Sequence, residues 1–253
     1  MKPDRARLPR ADPRSSPPIQ IPTPMDLSYR TPVAALGDDA RAAFLTRTYA
    51  HLLGAILLFA LIEVFFFTSG LAIPMAEAML GVNWLLVLGG FVVVSWFASS
   101  AAARAESKAA QYGALGAVVL AEAVIFVPLL VMAEYSVGGG VIASAAWVTL
   151  LGFSALTAIV FFTGKDFSFL GGILKWAFIL ALVAIVAGVL FGFNLGTWFS
   201  VGMIGLAGAA ILYDTSKVLH HYPEDRYVSA ALELFASVAL MFWYVLRLFM
   251  SRD

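Results

Sequence analysis

Residues 198–217 read WFSVGMIGLAGAAILYDTSK, and this stretch decides the class of fold to which the chain belongs. Its apolar part, residues 198–213, is nearly long enough to cross the roughly 30 Å hydrocarbon layer of a bilayer as a helix. Asp214 follows directly. A carboxylate at the end of a membrane-length helix is costly unless it is paired, protonated or hydrated. Asp214 is therefore the first candidate for a functional residue.

The composition of the whole chain agrees with this stretch. Hydrophobic residues make up 61% of the 253 residues and charged residues only 13%, which is typical of an integral membrane protein. The formal net charge is zero, so nothing in it indicates a nucleic-acid partner. The absence of cysteine excludes disulfides, thiolate metal sites and cysteine nucleophiles, and no cofactor is expected.

Seven apolar stretches, separated by short polar or glycine-rich breaks, predict an all-α bundle of seven transmembrane helices. A transmembrane barrel would instead alternate apolar and polar residues in segments of about ten. Residues 1–40, rich in proline and arginine, are predicted to be a disordered cytoplasmic tail, and residues 41–253 the membrane domain. The predicted spans lie near residues 48–68, 82–103, 112–133, 140–163, 170–192, 197–216 and 229–249.

The lysines and arginines predict the orientation of the bundle, because these residues collect on the cytoplasmic side. Of the sixteen, all but Arg247 and Arg252 lie in the tail, at the entrance to the first span, or near the second, fourth and sixth breaks. This distribution predicts a cytoplasmic amino terminus and a multi-pass protein of the cell (inner) membrane. Asp214 then lies near the cytoplasmic end of the sixth span.

Glu122, in the middle of the third span, is a second candidate. Its neighbours, VVLAEAVIF, include no cation, so the carboxyl group must be protonated, hydrated or bonded to another helix. A role in an ion pathway and a structural hydrogen bond are both compatible with this position.

Glu233, at the start of the seventh span, is expected at the same depth as Asp214, because a short loop joins the two spans. Two facing carboxylates cannot both ionise cheaply, so such a pair would share a proton and sense pH. Alternatively, Glu233 faces water in the headgroup layer. Ser237 lies one turn beyond Glu233 on the same helix face, and Lys217 follows Asp214 in the sequence as a candidate cationic partner.

Several motifs of the chain resemble the Bax inhibitor family in its bacterial type. They are ILYDTSK at 211–217, VLRLF at 245–249, AFLTRTYAHLLGAILL at 43–58, and Glu122. The resemblance covers residues from about 41 to 250. It implies a seven-helix bundle with the last helix in the centre and, for bacterial members, a pH-sensitive calcium leak.

The resemblance also implies a mechanism, from which this sequence departs at one position. In the family, an aspartate of the sixth helix and one of the seventh share a proton and engage an arginine of the second. Asp214 matches the first aspartate, whereas Ser237 occupies the second position and can neither carry charge nor titrate. Arg104 is the candidate for the arginine. We expect Glu233 to replace the missing acid, and Ca²⁺ to contact Asp214 and Glu233 only transiently.

The sequence thus predicts a pH-sensitive calcium leak channel, with the bilayer, Ca²⁺ and H⁺ as partners. One alternative is a non-conducting regulator that binds a membrane protease or another membrane protein. Another is a proton-coupled cation transporter with Glu122, Asp214 and Glu233 as a relay. An enzyme is not expected, because the spans contain one histidine, His51, and one aspartate, which is too few for an intramembrane protease.

Overall fold

The computed structural model describes residues 31–104, 107–138 and 140–251, apart from the side chains of residues 103 and 104. Most of the predicted tail, residues 1–30, lies outside the described residues. Within the described ranges the chain is helical, and its extended segments amount to one isolated bridge between Pro32 and Pro223. The helices are α1 (Asp38–Thr68), α2 (Ala72–Leu80), α3 (Trp84–Arg104), α4 (Lys108–Met132), α5 (Val141–Thr163), α6 (Leu170–Phe191), α7 (Gly196–His220) and α8 (Tyr227–Met250).

All of these helices except α2 are long and apolar enough to cross a membrane, so the predicted seven-helix membrane bundle is confirmed. The first helix begins at Asp38, ahead of the predicted span, and the acids of its first turn favour this start through the helix dipole. The sequence analysis missed α2, which is too short to span and lies in a predicted break. Its Ala72 and Ala76 are buried, and it packs against α4.

The last helix occupies the centre of the bundle, as predicted. In the most apolar window of its span, 72% of the residues are buried, compared with 17% for α6. It contacts α1, α4, α5 and α7. Small side chains on α8 let these neighbours approach closely; the buried ones include Ser229, Ala230, Ala231, Ser237 and Ala239.

The α7–α8 loop and the start of α8 form hydrogen bonds with three other parts of the chain. The backbone N–H of Val33 donates to the carbonyl of Tyr222 at 2.8 Å. The Ser229 hydroxyl, at the start of α8, donates to the carbonyl of Ala102 at 3.0 Å. Lys108 donates to the carbonyl of Asp225. The end of the bundle that contains this loop, which the sequence predicts to be cytoplasmic, is thus held in one arrangement.

Candidate functional site

Asp214 and Ser237 face each other across the α7–α8 contact. The Ser237 hydroxyl donates a hydrogen bond to Asp214 Oδ2 over 2.5 Å. Ser237 is buried, and Asp214 is partly buried. The position at which the family resemblance implies a second acid therefore supplies a neutral donor.

Lys217 and Glu233 form an ion pair beside this hydrogen bond. Lys217 Nζ lies 2.7 Å from Glu233 Oε2, and the two side chains are 26% and 33% exposed. Lys217 lies one turn after Asp214 on α7, and Glu233 lies one turn before Ser237 on α8. The two contacts are therefore stacked along the same helix–helix seam.

We call these four residues, Asp214, Lys217, Glu233 and Ser237, the α7–α8 polar cluster. Asp214 interacts electrostatically with both Glu233 and Lys217, so the two carboxylates lie in one electrostatic unit. Their direct partners differ, however: Ser237 for Asp214 and Lys217 for Glu233. The side chain of Arg104, the predicted cationic partner on the second span, lies outside the described residues.

Two tyrosine rings lie beside the cation of this cluster. Lys217 Nζ is 5.4 Å from the ring centroid of Tyr213 and 5.5 Å from that of Tyr222. Burial raises the pKa of the Tyr222 phenol far above its usual range, and the negative charge of Glu233 raises it further. Gly171 of α6 is needed here, because a Cβ at that position would lie 2.9 Å from the Tyr213 ring.

A second polar group, which the sequence analysis did not identify, centres on Asp166 in the α5–α6 loop. Its Oδ1 accepts hydrogen bonds from the Ser168 backbone N–H (2.8 Å) and the Ser216 hydroxyl (3.1 Å). Its Oδ2 lies 3.5 Å from His221 Nε2. The Ser168 backbone N–H is the main cause that lowers the pKa of Asp166. The sequence signal is Asp-x-Ser in a loop, which is typical of an Asx turn.

A cavity of about 650 Å³ lies between α3, α4, α6 and α8. We call it the central cavity. It follows α8 from Ser237 to Arg247, a distance of about 15 Å at the rise of a helix. Most of its wall is apolar. The polar side chains that line it are Ser95, Ser99, Glu122, Asn194, Ser237, Tyr244 and Arg247.

Glu122 is 8% exposed and lines this cavity, and no described residue donates a hydrogen bond to it. Glu63 of α1 is 7% exposed, does not line the cavity, and has no hydrogen-bond partner for either carboxylate oxygen among the described residues. The described part of the chain contains no group of three or more His, Asp or Glu residues that could hold a metal ion.

The comparison with known proteins begins with a family model. The model Bax1-I, described as "Inhibitor of apoptosis-promoting Bax1", matches residues 41–253. "Uncharacterized protein PA2604" of Pseudomonas aeruginosa is 36% identical over 113 residues, 44% of this chain and 50% of that protein.

Two further relatives are similar to a comparable extent. YccA of Escherichia coli is 36% identical over 118 residues, 46% of this chain and 53% of YccA; it is named "Modulator of FtsH protease" in strain K12 and "Inner membrane protein" in another strain. A "BI1-like protein" of Arabidopsis thaliana is 32% identical over 123 residues, 46% of this chain and 47% of that protein. The chain therefore spans about half the length of the curated relatives that it matches.

Proposed function

The chain belongs to the Bax inhibitor family, and we propose that it forms a pH-sensitive calcium leak pathway through the inner membrane in which it lies. The observation that carries the proposal is the double role of Ser237. This side chain donates a hydrogen bond to Asp214 and also lines the central cavity. A change at Asp214 can therefore be transmitted directly to the end of the cavity.

The central cavity supplies one part of a pathway. At about 15 Å it extends over about half of the hydrocarbon layer. Glu122 lies about half-way along α4 and offers a carboxyl group to a cation within the cavity. The cavity continues to Arg247, near the other end of α8.

In this proposal the α7–α8 polar cluster closes the calcium pathway. The hydrogen bond and the ion pair join α7 to α8 at the end of the cavity nearest to Ser237. Protonation of Asp214 replaces a charge-assisted hydrogen bond with a neutral one, which is about half as strong. Protonation of Glu233 removes its attraction to Lys217. In this scheme a fall in pH loosens the α7–α8 contact, and Ca²⁺ passes the cluster without a fixed binding site.

The test is calcium flux into proteoliposomes that contain a calcium-sensitive dye, measured from roughly pH 5 to pH 8. We expect the wild type to leak in a pH-dependent manner and Asp214→Asn to lose most of that dependence. Glu233→Gln should shift the dependence, since it removes the direct ion pair with Lys217 and leaves Asp214 as the nearby acid of the cluster. Asp225→Asn is the control, because Asp225 is an exposed aspartate of the α7–α8 loop outside the cluster.

An absence of calcium flux at every pH would overturn the proposal. The same pH profile in the wild type, Asp214→Asn and Glu233→Gln would overturn the role of the cluster while leaving a leak in place. Saturable flux that requires a proton gradient would indicate a proton-coupled transporter instead.

A second candidate function is regulation of a membrane protease. The observation that favours it is the similarity to YccA, which is named a modulator of FtsH protease. Ser237 also supports it, because a serine at this position removes the acid pair on which proton gating in the family is expected to depend. In this alternative the bundle contacts the protease through its lipid-facing helices.

This candidate is tested with purified FtsH and this protein in the same nanodisc or liposome. We expect slower degradation of a membrane substrate than with FtsH alone, and no calcium flux in the parallel measurement. A degradation rate that does not change with added protein would exclude direct regulation of this protease.

A further inference from the structure

Glu122 lacks a partner in a place where a carboxyl group needs one. It is 8% exposed, and no hydrogen-bond donor among the described residues reaches it. Burial of a polar group without a hydrogen bond costs roughly 2–7 kcal/mol, and burial of an isolated charge costs more. The central cavity on which Glu122 opens therefore favours an occupant that carries a positive charge or a hydrogen-bond donor.

An aromatic wall adjoins this carboxyl group. Phe126 lies one turn after Glu122 on α4 and meets the Trp243 ring edge-on, with centroids 5.0 Å apart. Trp243 stacks on Trp84 at 6.4 Å. All three rings line the central cavity. Aromatic faces attract organic cations, tryptophan most strongly, and the attraction increases when water is excluded.

The chemistry of the lining favours an organic cation over a bound metal ion. Calcium takes six to eight oxygen ligands, and magnesium needs an octahedral set. Among the described residues, Glu122 is the only carboxylate that lines the cavity, and these residues contain no cluster of three metal-binding acids or histidines. A volume of about 650 Å³ lies within the range of pockets that hold drug-sized molecules.

The two ends of the cavity limit where the positive group can lie. Arg247 lines the far end and repels a cation there. Ser237 lines the opposite end and is already engaged with Asp214. A positive group is therefore favoured in the region around Glu122.

We propose that the central cavity binds an amphipathic organic cation, whose ammonium group pairs with Glu122 and whose apolar part packs against Trp84, Phe126 and Trp243. This site goes beyond the calcium leak and does not depend on conduction. The binding measurement below can therefore succeed or fail whatever the flux measurements show.

The test uses dansylcadaverine, a fluorescent primary amine, and the whole protein in nanodiscs of neutral phosphatidylcholine. Binding is followed by energy transfer from tryptophan, and the signal of empty nanodiscs is subtracted. We expect saturable binding that an excess of 5-phenylpentylamine displaces. The matched ligand is N-pentyl dansylamide, which has the same ring system and chain but no ammonium group, and should bind at least tenfold more weakly.

Glu122→Gln should weaken dansylcadaverine binding at least tenfold while leaving the weak binding of the neutral analogue unchanged. Glu63→Gln is the matched control, since it alters another buried membrane glutamate without a described partner, but one outside the cavity. It should leave the affinity unchanged. Size-exclusion elution of both variants verifies that they are folded.

Three results would overturn the proposal. They are the absence of saturable binding to the wild type, equal affinity for the amine and its neutral analogue, and equal loss of affinity in Glu122→Gln and Glu63→Gln.

Discussion

The acids of the α7–α8 polar cluster have side-chain partners, whereas the acid that lines the central cavity has none among the described residues. In the cluster each acid has its own partner, a serine hydroxyl for Asp214 and a lysine for Glu233. In the cavity Glu122 has no partner among the described residues, although it is more deeply buried than Glu233. Ser237 belongs to both regions.

This difference separates two uses of intramembrane acids. A paired carboxylate joins two helices, and its loss leaves the partner unsatisfied. An unpaired carboxylate on a cavity contributes little to helix packing but is available to a ligand or an ion. We therefore expect the cluster to govern the stability of the bundle and the closure of the calcium pathway. We expect the cavity to govern the binding of ligands.

The largest effect is expected when the partner of Asp214 is changed into an acid. Ser237→Asp places a second carboxylate opposite Asp214, and two acids at that distance cannot both be charged without a large cost. We expect the ratio of calcium leak at pH 6 to that at pH 8 to rise about tenfold relative to the wild type. Ser237→Ala removes the donor without adding an acid and is the control. If Ser237→Asp and Ser237→Ala have the same pH profile, the seventh-helix position does not control proton sensing.

The next largest effect concerns the ion pair. Lys217→Met leaves Glu233 without its cation, and we expect a loss of about 1–2 kcal/mol, between the values for exposed and buried pairs. The double variant Lys217→Met/Glu233→Leu removes both charges and should recover most of that loss. The measurement is the unfolding midpoint of the detergent-solubilised protein. A double variant that is less stable than the single one would show that the pair contributes more than the cost of removing its charges from water.

Much of the fold followed from the sequence because the bilayer restricts what can cross it. The seven spans and the central last helix were predicted from apolar length and from the family resemblance, and the structure agrees. The sequence did not indicate that α2 is helical. Residues 72–80 are apolar but too short to span, so their helix depends on packing against α4, which a length criterion does not detect.

The contacts of the site were harder to predict. The depth of Glu233 relative to Asp214 follows from the hairpin, but which side chain each acid meets depends on the rotation of α8 against α7. That rotation places Ser237 opposite Asp214 and Lys217 opposite Glu233. Asp166 was missed because its partners, Ser216 and His221, lie fifty or more residues later in the sequence. The central cavity is formed by residues of four helices that are far apart in the sequence, so no single stretch of sequence indicates it.

A smaller effect on stability is expected from Glu63, a buried acid outside the cavity that has no described hydrogen-bond partner. Glu63→Leu replaces a buried carboxyl group that has no described partner with an apolar side chain of similar size. We expect a gain of about 1 kcal/mol, because an unsatisfied polar group is removed. Glu122→Leu should gain less, since its carboxyl group opens on the cavity. The unfolding midpoints of the two variants provide the comparison, and a loss of stability in Glu63→Leu would show that Glu63 has a partner.

The smallest effect belongs to Asp166, which has partners but lies at the surface, with a side chain 45% exposed. Its pKa is lowered, chiefly by the Ser168 backbone N–H, so the charged form stabilises the fold. A lowered pKa adds stability above the ordinary value of about 4, and this contribution is lost as the pH falls through the lowered pKa. Asp166→Asn should therefore lower the unfolding midpoint slightly at pH 7, and the difference from the wild type should shrink below about pH 4. A difference that is independent of pH would mean that the Asp166 contacts with Ser168 and Ser216 stabilise the fold through their geometry and that the charge of Asp166 contributes nothing.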